Sequence, residues 1–259
     1  KEIEISYGIE GQEVYFVIGE YNKDAALIID PDLTFSTYSG STFDNWGSTA
    51  TPDTDGKVFA AGITFGQGYP VTTGAYDATF NNAAENLQNF DITVSKFTED
   101  GTKLIYSTYI GGSDNEFPSS MYCDNNGILN ILGISGSADY PVPNGAHNIF
   151  MGGTSITSYG LTFTNGTDIV LSQLSADGTA MLAGTYMGGS ENDGINLGLL
   201  NYNLGDTYRG EIIVDSLGFV YAATSTRSPD FPIAGSIATA IGKSGCLLYT
   251  SPSPRDQAK

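Results

Sequence analysis

The feature that most constrains this chain is an internal repeat. Leu104-Ile105-Tyr106-Ser107-Thr108-Tyr109-Ile110-Gly111-Gly112 returns as Met181-Leu182-Ala183-Gly184-Thr185-Tyr186-Met187-Gly188-Gly189. An earlier echo stands at Leu33-Thr34-Phe35-Ser36-Thr37-Tyr38-Ser39-Gly40. Tyr38, Tyr109 and Tyr186 are 71 and 77 residues apart. Other elements recur in step. Asp53-Thr54-Asp55-Gly56, Asp124-Asn125-Asn126-Gly127 and Asp215-Ser216-Leu217-Gly218 each precede an apolar run. Tyr69-Pro70-Val71 returns as Tyr140-Pro141-Val142 and Phe231-Pro232-Ile233. The run from Asp91 to Phe97 matches that from Asp168 to Leu174, and each leads into an Asp-Gly pair, Asp100-Gly101 and Asp177-Gly178. A unit that recurs in this way buries its apolar surface against its neighbours.

Each piece has a mechanical meaning. Asp-x-x-Gly between apolar runs is a hairpin turn, with Asp capping it and Gly supplying the left-handed residue. Pro in the Tyr-Pro element ends strand pairing. One unit is therefore strand, turn, strand, variable loop, strand, Asp-Gly turn, strand. Runs such as Val58 to Ala61 and Ile131-Leu132 are apolar on both faces, so the sheet needs a neighbour on each side. Four-stranded units stacked face to face around an axis make a β-propeller. The expected fold is all-β: about two and a half blades over residues 32–245. Ahead of them, Ile3, Ile5 and Tyr7, a turn at Gly11, and Val14, Phe16 and Ile18 predict a hairpin.

Composition narrows the function. Acids outnumber bases 29 to 10, for a formal charge of -19. Such a surface repels phosphate backbones, so nucleic acid is not an expected partner. No apolar run approaches the roughly 18 residues of a membrane helix. Two cysteines and one histidine exclude a disulfide scaffold and a His/Cys metal cluster.

The ends of the chain read differently from the middle. Lys1 opens directly into strand-like sequence, as expected of a piece of a longer protein. Residues 246–256 resemble a translated sequencing adapter, so residues 246–259 are expected to be a non-native tail that forms no element. Without the tail's two bases and one acid the charge becomes -20, and Cys123 is the one remaining cysteine.

The Ser-Thr-Tyr-x-Gly-Gly pattern, the Asp-x-x-Gly strand, the Tyr-Pro loop and the Asp-Gly hairpin resemble the SBBP repeat. That family forms propellers in large secreted and surface-attached bacterial proteins. The resemblance spans about residues 33–240 and implies an extracellular or cell-surface location and a scaffold or adhesin-like role. Residues 1–31, ending in Ile28-Ile29-Asp30-Pro31, resemble the tail of the β-rich domain that often precedes such propellers. The chain departs from the family in Ser39-Gly40, where Gly-Gly is expected, and in insertions near 81–90, 145–166 and 198–210. Those insertions are where a protein or glycan ligand is expected, at the propeller's loop face.

Candidate chemistry is sparse. Asp53 and Asp55 with Gly56 suggest a shortened Ca²⁺ loop, but Asp124 and Asp215 stand nearly alone in the equivalent turns, which favours a turn role. Otherwise no cofactor is expected. Asp114, Asn115 and Glu116 follow Gly112, Glu191, Asn192 and Asp193 follow Gly189, and Asp44 and Asn45 follow Gly40. On one face near a central channel, Asp114, Glu116, Glu191 and Asp193 could contact a ligand. They could also do the acid–base work of a polysaccharide-cleaving enzyme. Their repetition in each unit favours a structural role over catalysis, and no Gly-x-Ser-x-Gly nucleophile motif is present. Trp46 is placed in a loop and could stack on a sugar. His147 is matched to Tyr76, a packing position, and Cys123 is expected to be a small buried hydrophobe. Asn165-Gly166-Thr167 fits a glycosylation sequon that would be silent in a bacterial protein.

Overall fold

The computed structural model describes residues 3–11, 13–24, 34–81, 89–144, 147–198, 201–233 and 246–250. The chain divides into two units, Lys1–Thr34 and Phe35–Lys259. The first holds the expected hairpin. Strands β1 (Ile5–Glu10) and β2 (Glu13–Ile18) pair antiparallel, Ile5 opposite Ile18, around Gly11 at φ 64°.

Among the described residues the second unit is all-β apart from one short helix. Its first sheet runs β3 (Asn45–Pro52), β4 (Val58–Thr64), β5 (Asp91–Phe97), β6 (Leu104–Ile110), each strand antiparallel to the next. The second repeats this order with β7 (Glu116–Cys123), β8 (Leu129–Ser135), β11 (Asp168–Leu174) and β12 (Met181–Met187). A small hairpin, β9 (Ile156–Ser158) and β10 (Leu161–Phe163), is inserted between β8 and β11. The third sheet holds β13 (Glu211–Val214), β14 (Val220–Thr226) and β15 (Cys246–Thr250), and helix α1 (Leu204–Thr207) precedes it. Even the irregularities repeat: the first strands bulge at Gly47/Thr49 and at Pro118/Ser120.

The stacking follows from the two-sided apolar runs. Met121, Leu129, Ile131 and Val170 of the second sheet join Phe59, Ala61, Ile92 and Val94 of the first in one core. On the opposite face, Leu132, Ile169 and Leu171 meet Ile212, Val220 and Ala222 of the third sheet. The first strands of successive sheets lie side by side. Ser48 Oγ on β3 donates to the carbonyl of Pro118 on β7. Ser120 Oγ on β7 donates to Glu211 Oε1 and accepts from the Ile212 N–H on β13.

The structure departs from the sequence pattern at two places, and partner edges explain both. The echo at 33–40 does not repeat the strand seen in β6 and β12: residues 34–40 form no ladder among the described residues. A strand needs a partner edge, and β6 and β12 receive theirs from β5 and β11. The tail, conversely, was expected to form no element, yet Cys246–Thr250 pairs with β14, Thr226 opposite Cys246 and Ala222 opposite Thr250. The free edge of β14 presents unpaired amides and carbonyls, and Leu-Leu-Tyr-Thr is strand-favouring sequence. It takes the place that β5 and β11 hold in the other sheets. The rest of the tail, 251–259, lies outside the described residues.

Candidate functional site

The acids singled out after the Gly-Gly elements sit where one sheet hands over to the next. Five residues, 111–115, separate β6 from β7. Glu116 opens β7 fully buried. Its Oε2 accepts from the Gly112 N–H at 3.1 Å, and its Oε1 accepts from the Ser135 and Ser137 hydroxyls. Asp193 repeats the arrangement at the next junction. It accepts from the Gly189 N–H at 2.8 Å, the Thr226 and Ser228 hydroxyls and the Arg227 N–H. Ser113 and Ser190 donate through N–H and hydroxyl to Asp139 and Asp230 in the same way. In the first repeat Asn45 takes the acid's place, accepting from the Ser41 N–H at 3.1 Å. Gly40-Ser41 is thus the counterpart of Gly111-Gly112, one residue on from the pair compared in the sequence.

A second buried acid faces each junction from the third strand. Asp91 opens β5 and accepts from the Asn81 N–H at 2.7 Å. Asp168 opens β11 and accepts from the Met151 and Gly152 N–H groups at 2.7 and 3.1 Å. A Cβ on Gly111 would lie 2.8 Å from both Asp91 Oδ1 and Glu116 Oε2, and one on Gly188 would lie 2.1 Å from Asp168 Oδ1. Only glycine lets the chain pass between these carboxyls. Burial, then the Asp91 charge, pushes the Glu116 carboxyl well above the usual carboxylate range. Burial pushes Asp168 up to about 6, with the Met151 and Gly152 N–H bonds opposing and Asp193 adding repulsion. Glu116 and Asp193 are therefore enclosed junction pieces, in keeping with the structural role that their repetition favoured; the alternative of a ligand contact does not fit their burial.

Asp114 and Glu191 part company. Asp114 is buried and its Oδ2 accepts from the Thr164 N–H and Asn165 Nδ2, both at 3.1 Å. Glu191 is exposed, and its backbone alone is engaged, with Ser228. The neighbouring amides carry out the clamping. Asn115 accepts from Phe90 N–H at 2.7 Å and donates to the Thr162 carbonyl. Asn192 accepts from the Thr167 N–H and donates to the Thr154 carbonyl.

What they clamp is a cap built from the insertions. Phe90, at the end of the 81–90 insertion, meets Phe163 of the 145–166 insertion edge to face at 5.6 Å. Phe163 meets Tyr208, in the 198–210 insertion, at 6.2 Å. Tyr208 stacks on Phe117 of β7 at 4.6 Å and donates to the Ser158 carbonyl. Ile63, Phe65, Ile134 and Leu161 complete this cluster. The insertions therefore pack on one another, where the sequence suggested separate loops. Two tyrosines remain outside. Tyr159, at the tip of the β9–β10 hairpin, takes φ 52° and is exposed. Its hydroxyl donates to Asn201 Oδ1 at 3.4 Å, and the adjacent Tyr202 is 76% exposed. A bulky side chain at positive φ is uncommon, and a glycine follows it at 160.

The turn acids behave alike. Asp53, Asp124 and Asp215 each accept two backbone N–H groups through Oδ1 at 2.8–2.9 Å, and Gly56, Gly127 and Gly218 take φ of 77–85°. Asp53 also pairs with buried Lys96 at 3.1 Å, whose ammonium lies 4.5 Å from the Phe59 ring centre. Burial opposes ionisation of Asp53, but the Lys96 and backbone bonds outweigh it and hold its carboxyl low. Asp55 turns to Lys57. A cation at Asp53 would have to displace Lys96, and among the described residues no three His, Cys, Asp or Glu side chains gather as metal ligands. Asp100 and Asp177 accept from the hydroxyls of Thr98 and Thr102, and of Ser175 and Thr179, beside Gly101 and Gly178.

Other positions are corrected by the geometry. Trp46 lies in β3, not a loop, half-covered edge to face by Phe65 at 5.2 Å. His147 is exposed and is the counterpart of Asp77, not Tyr76: Tyr186 N–H donates to its carbonyl as Tyr109 N–H donates to that of Asp77. Cys123 is buried as expected. Asn165 of the sequon is engaged with Asp114 and the Gly136 carbonyl. Sequence reasoning missed Asp91, Asp168 and Lys96. The signal for the two acids was an Asp at the head of the same apolar strand in both repeats.

The chain matches no family model and no curated protein. No helix among the described residues is long and apolar enough to cross a membrane.

Proposed function

We propose that this chain is part of a β-propeller in a large secreted or cell-surface bacterial protein. Its role in this reading is a non-enzymatic, adhesin-like interaction module. The reading is supported by sheets stacked through side-by-side first strands and by the SBBP-like pattern. One observation carries the binding role: the three insertions unite into a clamped cap that leaves Tyr159 and Tyr202 facing outward. Exposed tyrosines on a rigid base offer large contact area at small entropic cost, and they suit the apolar face of a sugar. A neutral glycan is the ligand class favoured, since the acidic surface repels anions.

The alternative, a propeller enzyme that cleaves polysaccharide, calls for accessible carboxyls. The acids at the junctions are enclosed by their own hydrogen bonds. The test is retention and product release on a panel of neutral polysaccharides with the whole chain. Retention lost in Tyr202→Ala, with no product from any substrate, is expected. Product release abolished by Asp168→Asn or Glu116→Gln would establish the enzyme instead.

A further inference from the structure

Three Asn-Gly steps occur in the chain, at 126–127, 144–145 and 165–166. An asparagine followed by glycine is chemically labile, because no Cβ keeps the next backbone nitrogen away from the amide carbon. The structure sorts two of the three. Asn165 is locked: its Nδ2 donates to Asp114 Oδ2 at 3.1 Å and to the Gly136 carbonyl at 3.4 Å. Gly166 behind it is buried, and a Cβ there would lie 2.3 Å from the Gly153 nitrogen. Turning the Asn165 amide onto Gly166 breaks both bonds, and a carboxylate formed there would face that of buried Asp114. Asn126 is the opposite case. It is exposed at the tip of the β7–β8 turn, and its side-chain amide makes no hydrogen bond among the described residues. Gly145 lies outside the described residues.

We infer that Asn126 is a self-modifying site, which turns into aspartate and isoaspartate in the folded protein while Asn165 is protected. The Gly127 nitrogen attacks Asn126 Cγ. An N–Cγ bond forms, the Cγ–Nδ2 bond breaks, and Nδ2 leaves as ammonia with the Gly127 amide proton. Water then opens the cyclic imide at either carbonyl. Cleavage at Cγ gives aspartate, and cleavage at the backbone carbonyl gives isoaspartate. The attack requires the Gly127 N–H to release the Asp124 carbonyl, to which it donates at 2.9 Å. That bond closes only the tip of the hairpin, so it opens without parting β7 from β8. The first sheet already carries the product residue. Asp55 stands at the matched position, its N–H donating to Asp53 Oδ1 at 2.9 Å as that of Asn126 donates to Asp124 Oδ1 at 2.8 Å. Aspartate at 126 therefore keeps the turn and adds a negative charge. Isoaspartate lengthens the backbone ahead of Gly127 by one methylene, which draws the Gly127 and Ile128 N–H groups away from Asp124.

The test is peptide mapping by mass spectrometry on the whole chain, kept folded in mildly alkaline buffer, with a parallel sample in urea. Amide-to-acid conversion at Asn126 is expected in the folded sample, with isoaspartate confirmed by labelling with an isoaspartate methyltransferase. Asn165 should convert more slowly there by about tenfold or more, and at a rate similar to Asn126 once urea removes the fold. Asn126→Gln should abolish conversion in its peptide, because the longer side chain closes the larger ring far less readily. The position is exposed, so this variant is expected to keep the wild-type circular dichroism. Asn126 left unconverted in the folded chain when the urea sample has reacted overturns the inference. Asn165 reacting as fast as Asn126 in the folded chain, or acid forming in the same peptide of Asn126→Gln, overturns it equally.

Discussion

Phe35-Ser36-Thr37-Tyr38 and Tyr106-Ser107-Thr108-Tyr109 differ at one residue in four, yet they end up in opposite states. Tyr109 is 2% exposed, and its hydroxyl accepts from the Tyr69 N–H at 2.9 Å. Tyr186, in the second copy, is 1% exposed, and its hydroxyl donates to the Ser137 carbonyl at 2.6 Å. Tyr38 is 105% exposed. The difference lies in the neighbours. β6 is tied to β5 through the Asp100-Gly101 hairpin, whereas 34–40 has no hairpin partner among the described residues. The motif codes for a strand conditionally, and the sheet decides whether the condition is met.

The sharpest way to break this comparison is to truncate the tyrosines. Tyr109→Ala and Tyr186→Ala each remove a buried ring and a buried hydrogen bond, and each is expected to cost about 3–5 kcal/mol. Tyr38→Ala is expected to stay within about 0.5 kcal/mol in dilute protein. Urea unfolding of the whole chain measures all three. A Tyr38→Ala loss as large as the others would mean that 34–40 is packed in solution.

The junctions give a second contrast, next in size. Asn45 stands in the first repeat where Glu116 and Asp193 stand later, so the first junction carries no charge at that position. Asp168 is held at about 6 by burial, above the roughly 3.9 of an unfolded aspartate. A raised carboxyl favours the protonated folded state. Its contribution is full below pH 4 and is lost as pH rises through 6. Asp168 alone makes the fold about 2 kcal/mol less stable at pH 7 than at pH 4. Glu116, raised for the same reason, adds in the same direction. The chain is therefore expected to melt higher at pH 4.5 than at pH 7.5. Asp168→Asn should flatten that slope, at the cost of one acceptor, since the Met151 and Gly152 N–H groups bond separate carboxylate oxygens. An unchanged slope in Asp168→Asn would assign the pH dependence to the overall negative charge.

These contrasts also show which parts of the molecule were legible from the chain. The Asp-x-x-Gly and Asp-Gly turns could be read because every contact that defines them lies within a few residues. The sheets followed because turns and two-sided apolar runs leave few ways to bury both faces. The junction acids were found and their structural role favoured, but not their enclosure. Glu116 and Asp193 follow Gly-Gly in the sequence like loop residues, and only the return of Ser135 and Ser137 at and just after the end of β8, and of Thr226 and Ser228 at and just after the end of β14, encloses them. His147 was misplaced because one residue of loop length separates Tyr76 from Asp77. The cap was illegible for a related reason. Phe90, Phe163 and Tyr208 belong to three different insertions, and nothing local marks them as neighbours.

The smallest expected effect isolates what does not depend on the sheet at all. The Asp-x-x-Gly turn forms identically in the first sheet, in the buried second and in the third, so its stabilisation should be uniform. Asp124→Ala and Asp215→Ala each remove two N–H bonds to a half-buried carboxylate, and Asp215→Ala a Tyr221 hydroxyl bond as well, and each is expected to lower the unfolding midpoint only slightly. Asp53→Ala should cost more, because it also strands the Lys96 ammonium, which is 6% exposed, against the Phe59 ring. The double variant Asp53→Ala/Lys96→Met separates the two contributions: it should recover most of that excess and return to the loss seen at Asp124. Millimolar calcium should leave the wild-type melting temperature where it was, since Lys96 already occupies the carboxylate a cation would need. A calcium-dependent rise that disappears in Asp53→Ala would instead make the first turn a cation site. The three turns would then no longer be equivalent.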